Sequence, residues 1–206
     1  MLCKCPLGTA IPTIPVDQCP TGFGQIQKVI FQRQFKSPGV KNFIHSDFIQ
    51  ITDKAAWTPF LTAADGSKMI ISPYLHAPTT EPGAARTFGG GNETLGGIPI
   101  VLGREATAFT GFIRQIKQIR LKLWKQLECE EMAVWLIDEN GNIGGINPDE
   151  NDLFFPIPIR SLFFGDLTLG GFEGVDSNGV QWSFLPNWSD ELSVIIPSNF
   201  NPLTDF

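Results

Sequence analysis

The residues best equipped for chemistry are few and scattered. His45 and His76 are the only histidines. His45 falls in an alternating segment and His76 beside a loop, and neither accompanies a nucleophile motif such as G-x-S-x-G. The run Glu128, Glu130, Glu131 could offer the two carboxylates that glycoside hydrolysis places across one bond. Its position at a predicted helix end reads instead as a solvated or intersubunit face. Asp138-Glu-Asn140-Gly-Asn142 sets oxygen ligands at alternate positions, as a calcium loop does. Ile143 then stands where such a loop needs glycine, and Asp149 where it needs a bidentate Glu. With strands on either side, the segment predicts a hairpin. Gly89-Gly-Gly-Asn-Glu-Thr-Leu-Gly-Gly97 is flexible enough to wrap a phosphate, but it lacks the Lys-Ser/Thr of a phosphate loop and opens no helix. It predicts a loop that orders on contact with a partner. Cys3, Cys5, Cys19 and Cys129 do not form the paired C-x₂₋₄-C units of a zinc site, and free thiols are expected. No catalytic constellation emerges, so no enzymatic activity, cofactor or metal is expected.

The chain that must position these groups is unusual in composition. It holds 21 glycines and 16 prolines, with 17% charged residues where about 25% is ordinary. Hydrophobic residues make up 42% and the net charge is −6, which disfavours disorder. The prolines and sparse charges disfavour a coiled coil, and no apolar run approaches the roughly 20 residues of a membrane span. An acidic pI near 4.9 argues against gripping nucleic acid, which needs clustered Lys and Arg. Met1–Pro6 contains no apolar stretch of the secretory kind, so reduced thiols and synthesis in a cytoplasm are expected, and the sequons at Asn92 and Asn187 are not read as glycosylated. A surface short of charge hints at a protein that is not a monomer.

Along the chain, residues 1–24 carry four prolines and little alternation, which predicts an extended arm. Residues 25–196 read as a single β-rich domain, and 197–206 as a polar tail. Val29, Phe31 and Phe35 alternate as on a half-buried strand. Phe43–Ile51 can form another. Thr58-Pro59 would open a short helix stopped by Asp65-Gly66, followed by a strand over Lys68–Ser72. Residues 77–97 are loop chemistry throughout, a length that in a compact domain points to function. Strands follow at Ile98–Gly103 and Thr107–Phe112. One amphipathic helix is predicted over Phe112–Glu128, with Phe112, Ile113, Ile116, Ile119, Leu123, Trp124 and Leu127 facing the core and Arg114, Lys117, Lys122 and Lys125 opposite; Leu121 falls outside the apolar arc. Met132–Asp138 and Asn142–Ile146 flank a type I′ turn signal at Asn140-Gly141. Pro156 and Pro158, two apart in Leu153–Phe164, predict an edge strand. Ser177-Asn-Gly predicts a turn before the alternating Val180, Trp182 and Phe184, and Leu192, Val194 and Ile196 alternate likewise. The expected fold is mainly β: a sandwich or barrel with one packed amphipathic helix, a long Gly-rich loop and extended terminal arms.

This order of elements resembles the tail tube (major tail) proteins of tailed bacteriophages. The matching features are Gly89–Gly97, the helix ending Leu127-Glu-Cys-Glu130, the hairpin Asp138-Glu-Asn-Gly141 and the late strands around Trp182. The resemblance implies a virion protein that self-assembles into stacked hexameric rings, with other virion proteins as partners and DNA as non-specific cargo. It implies no membrane partner, and an acidic channel wall that lets DNA slide past. Contacts between copies are expected from the arm, the loop and the tail, and specifically from Pro82, Gly83, Arg86, Gly89, Gly90, Gly91, Asn92, Glu93 and Gly97, from the basic residues Arg114, Lys117, Lys122 and Lys125, and from Phe206. A tail terminator or head–tail connector fits the same features. A carbohydrate-binding β-sandwich, with Trp57, Trp135, Trp182 or Trp188 as a stacking platform, is the reading from another class.

Overall fold

The computed structural model describes residues 22–45, 51–147, 153–172 and 174–206. The expected arm up to residue 21, most of the strand expected after Ile44, and Asp149 lie outside them. The fold is mainly β. The strands are β1 (Ile26–Arg33), β2 (Phe35–Ser37), β3 (Val40–Lys41), β4 (Ile44–His45), β5 (Met69–Ile71), β6 (Leu75–Glu81), β7 (Ala85–Phe88), β8 (Ile100–Arg104), β9 (Thr107–Arg114), β10 (Met132–Asp138), β11 (Ile143–Ile146), β12 (Leu153–Phe154), β13 (Ile157–Thr168), β14 (Ser177–Phe184) and β15 (Leu192–Ile195). Helices are α1 (Lys54–Leu61), α2 (Gln118–Lys125) and the single turn α3 (Pro202–Asp205).

Nine strands share one sheet, hydrogen-bonded in the order β5-β1-β10-β13-β14-β9-β6, with β11 and β15 branching from β10. The two end strands, β5 and β6, are consecutive in sequence, joined only by Ser72, Pro73 and Tyr74. Ser72 holds this corner on β1, one step beyond the β5 pairing: its N–H donates to the Val29 carbonyl at 2.8 Å and its Oγ accepts from the Val29 N–H at 2.9 Å. The sheet therefore curls back towards itself like a barrel. One core lies inside, with Phe31, Phe109, Ile113, Leu121, Val134, Phe164 and Trp182 among its members. A second core lies on the other side of β1 and β10, built on Ile30, Trp57, Trp135, Ile137 and Phe154.

This second core corrects the reading of β1 as half-buried. Val29 and Phe31 face one core and Ile30 the other. Phe35 sits beyond β1, in the short β2. Aromatic edges do much of the packing: Trp57 meets Trp135 at 5.1 Å and 78°, and Phe31 meets Trp182 at 5.8 Å and 83°, the edge-to-face geometry that ring quadrupoles favour.

Several local predictions change for physical reasons. Helix α1 begins after Asp53, with Thr58 and Pro59 inside it and Thr62 at its end. Pro59 is the sixth residue of the helix and lacks the N–H that would bond the Ala55 carbonyl, and the helix ends two residues later at Leu61. The Pro156/Pro158 segment is not an edge. Ile157 and Pro158 pair with Val134 and Ala133 of β10, and from Ile159 the strand pairs with β14. The prolines limit the β10 pairing to two residues, and β13 then bends through bulges that include Ser161 at φ 56°. The Asn140-Gly141 hairpin forms, but only Gly141 takes a positive φ (83°). A type I turn closed by a left-handed glycine replaces the expected type I′. Ser177-Asn-Gly lies within β14, and Asn178 is buried there. The alternation of Val180, Trp182 and Phe184 is buried as expected.

The predicted long helix is also shorter. Phe112, Ile113 and Arg114 are the end of β9, alternating exposed, buried, exposed. Gln115, at φ 54°, turns the chain before α2 starts at Gln118, and a 3₁₀ turn, Gln126–Cys129, extends it.

Residues 197–206 lie against the body. Phe200, Leu203 and Phe206 pack on the second core, and Phe206 reaches Trp57 at 6.2 Å. The Leu203 carbonyl accepts from Lys28 Nζ at 2.6 Å and from the Tyr74 hydroxyl at 3.1 Å. Burial pulls the Lys28 ammonium below its ordinary pKa. Phe206→Ala is expected to cost about 1–2 kcal/mol, less than a fully buried Phe, because the ring is only partly covered. Urea denaturation checks this, and an unchanged midpoint would show that the tail contributes nothing to the core.

Candidate functional site

The positions with chemical potential are built into the scaffold. Asp138 is fully buried, and its carboxylate accepts from the Gly24, Asn140 and Asn142 backbone N–H groups and from Asn142 Nδ2 at 2.8–3.0 Å. It organises the hairpin instead of presenting oxygens to a cation. Glu128 accepts from the Phe164 N–H at 2.7 Å, and Glu130 pairs with Arg33 at 2.7 Å, so each carboxylate serves a different contact. His45 lies edge-on to Phe43 at 4.7 Å, and His76 is on β6, opposite Phe112. Cys129 is an exposed free thiol. Trp57, Trp135 and Trp182 are core residues, and Trp188 is half-buried, stacked on Phe184 at 4.3 Å and 19°. That packing occupies one face of the Trp188 indole.

The feature that stands apart is the β7–β8 hairpin. Residues 77–97, read as loop from the sequence, contain the end of β6, all of β7 and the glycine-rich tip. Its base is pinned where Glu105 N–H donates to the Ala84 carbonyl at 2.9 Å. Gly83 is required there, since a Cβ would lie 2.2 Å from the Glu105 carbonyl oxygen. Pairing runs from Ala85↔Arg104 to Phe88↔Ile100. At the tip, Gly89, Gly90, Gly91, Gly96 and Gly97 all adopt positive φ, which glycine alone does at low cost. Thr94 ties the tip together: its Oγ1 accepts from Gly90 N–H at 3.1 Å and donates to the Ile98 carbonyl at 2.7 Å.

Both faces of this ribbon are open. Phe88 is 56% exposed, Val101 62% and Leu102 55%. Among the described residues, no hydrogen bond or ion pair joins 85–104 to the body. An isolated two-stranded hairpin is marginal in water, so this one has unpartnered apolar surface along its length.

The expected contact residues fall into two groups. Pro82, Gly83, Arg86, Gly89, Gly90, Gly91, Asn92, Glu93 and Gly97 belong to the hairpin or its base. Arg114, Lys117, Lys122 and Lys125 lie at the other end of β9, but not on one helix face: Arg114 is on the strand, Lys117 precedes the helix, and Lys125 pairs with Asp166. Phe206 is in the docked tail.

Sequence reading missed the second apolar surface. Without Phe112 and Ile113, helix α2 has two stripes. Leu121 and Trp124 turn inward, so Leu121, expected outside the apolar arc, is buried. Ile119 and Leu123, expected in the core, are exposed, and Leu123 is 59% exposed. Leu123 and Leu127, with Trp124, form one wall of an open groove of about 560 Å³; β5 and the adjoining Lys68 form the other.

No family model matches this chain, and no curated protein sequence matches it. Solved structures similar to parts of it include the tail of an empty gene transfer agent particle refined with C6 helical symmetry. That match has a TM-score of 0.32 and 16% identity over 60% of this chain and 87% of the other. The virion of a native gene transfer agent particle aligns with TM-score 0.31 and 17% identity over 59% and 84%. Overlaps of this size bear neither on the fold nor on the role of this chain.

Thr94→Val is expected to loosen the tip alone. Hydrogen exchange at the Gly90 amide should speed up roughly fivefold, with no change in the urea midpoint. Unaltered exchange would show that Thr94 does not hold the tip.

Proposed function

We propose that this chain is a virion structural protein that assembles with copies of itself into stacked rings, forming a phage tail tube that conducts DNA. The observation that carries this reading is the β7–β8 hairpin, apolar, ordered by its own glycines and Thr94, and open on both faces. A monomer gains nothing from such a ribbon and risks edge-to-edge aggregation. A partner surface gives it a purpose. The carboxylates Asp138, Glu128 and Glu130 are spent on hairpin, strand and ion-pair contacts. The net charge of −6 suits a conduit that DNA must cross without sticking. Hexameric rings and a passage for DNA rest on the resemblance of the element order to tail tube proteins.

The base of the hairpin allows a clean excision. Ala84 and Glu105 are already hydrogen-bonded, so residues 85–104 can be replaced by a two-residue Asn-Gly turn. The wild-type chain is expected to form rings or tubes in negative-stain images, and the excised chain to stay a folded monomer. A wild-type protein that remains monomeric at high concentration would refute the reading. An excised chain that still forms tubes would take the hairpin out of it.

A further inference from the structure

The hairpin and the groove beside α2 lie at opposite ends of the same strand. β9 begins at Thr107, two residues beyond the hairpin base at Glu105, and ends at Arg114, just ahead of α2. Seven residue steps at about 3.4 Å separate those ends by roughly 24 Å. β6 runs antiparallel to β9, from Leu75 opposite Ile113 to Glu81 opposite Ala108, so the ribbon leads away from the groove. The hairpin continues outward from that far end.

The groove has the character of a receiving site. Its apolar wall is Leu123, Trp124 and Leu127, faced by Ile70, with Lys68 and Arg120 beside them. β5 pairs with β1 along one edge, and among the described residues its other edge has no strand partner. Lys68 and Arg120 make no ion pair among the described residues, and neither does Glu93 at the hairpin tip. An open apolar surface with a free strand edge and cationic flanks matches an apolar strand ribbon whose one acid, Glu93, lies at its tip and whose basic residues, Arg86 and Arg104, lie at its base.

Resting on the self-assembly reading, we propose that this groove receives the β7–β8 hairpin of a second copy. Val101 and Leu102 of the incoming ribbon cover Leu123 and Ile70, and Glu93 meets Lys68 or Arg120. Because the two surfaces differ and lie at opposite poles, the contact is head-to-tail: each copy gives one hairpin and receives one, so assembly continues until a ring closes or a fibre grows. Addition of a strand to a free edge supplies main-chain hydrogen bonds, and the apolar side chains set the register.

A mixing experiment tests this with two full-length variants, Val101→Glu on the hairpin and Leu123→Glu in the groove. Both sites are exposed, and near-ultraviolet circular dichroism checks that each variant keeps the native core. Light scattering after size exclusion should show each variant alone as a 22.7 kDa monomer. Mixed one to one, the intact hairpin of the groove variant fills the intact groove of the hairpin variant. The product should be a dimer that grows no further, because its remaining surfaces are both disabled. If Leu123→Glu assembles like the wild type, the hairpin seats elsewhere: the groove inference falls and self-assembly stands. If both variants are monomeric but their mixture makes no dimer, the pairing of these two surfaces is likewise overturned. A wild-type chain that never assembles removes both.

Discussion

The β1–β10 pair is buried on both faces, and the remainder of the fold is arranged around that fact. A sheet with one wet face needs a single layer of cover. Here six consecutive pairings, from Lys28↔Ile137 to Arg33↔Met132, with Ile26↔Asp138 beyond a bulge, must be covered twice. The barrel-like wrap of β13, β14, β9 and β6 with α2 supplies the inner cover, and α1, β12 and the C-terminal turn supply the outer one. The polar groups caught in this layer are all engaged. Gln32 donates to the Ser67 carbonyl and accepts from Trp135 Nε1, Lys28 holds the tail, and Asp138 holds the hairpin. Buried polar groups of this kind stabilise only when satisfied, which is why segments as distant as Gly24, Ser67 and Leu203 are drawn to one sheet.

That double burial also explains where sequence reading succeeds and fails. Strand existence is legible wherever apolar residues alternate or run together: Met132–Asp138 is found to the residue, and Val180, Trp182 and Phe184 face inward as expected. What periodicity does not carry is the number of layers. The alternation of Val29, Phe31 and Phe35 gives one apolar face and leaves Ile30, on the opposite face, without a purpose until the second core is known. The helix is misread for a related reason. Ile113 satisfies a 3.6-residue period and a period of two equally well, and the positive φ of Gln115 that separates strand from helix has no sequence signature. Once those residues are assigned to β9, the apolar stripe of α2 shifts, Leu121 turns in and Leu123 turns out.

Two segments that look alike in sequence behave differently. The C-terminal segment and the glycine-rich segment are both rich in turn formers, and both read as candidate contacts. The C-terminal one brings Phe200, Leu203 and Phe206 to an apolar surface within its own chain, and a buried ammonium and a tyrosine hydroxyl fix its carbonyl. The other carries Phe88, Ile100, Val101 and Leu102, but β6 and β9 extend it away from both cores. The difference lies in geometry, not composition: one segment can reach apolar cover inside the chain and the other is held beyond it.

The direction of that extension bears on how copies would meet. If the unpartnered ribbon and the unpartnered groove lay side by side, the chain could fold one onto the other, or two copies could exchange them around a twofold axis and stop. The β6–β9 ladder between them, tied to β1 through Ser72 at one end and pinned by Glu105 at the other, holds them apart, β9 alone spanning about 24 Å. A chain with its donor and acceptor at opposite poles of a stiff ladder has no self-satisfied closed state as a monomer. The same stiffness would give every successive contact the same orientation, and a repeated rotation with a constant angle is what turns pairwise contacts into a ring or a tube.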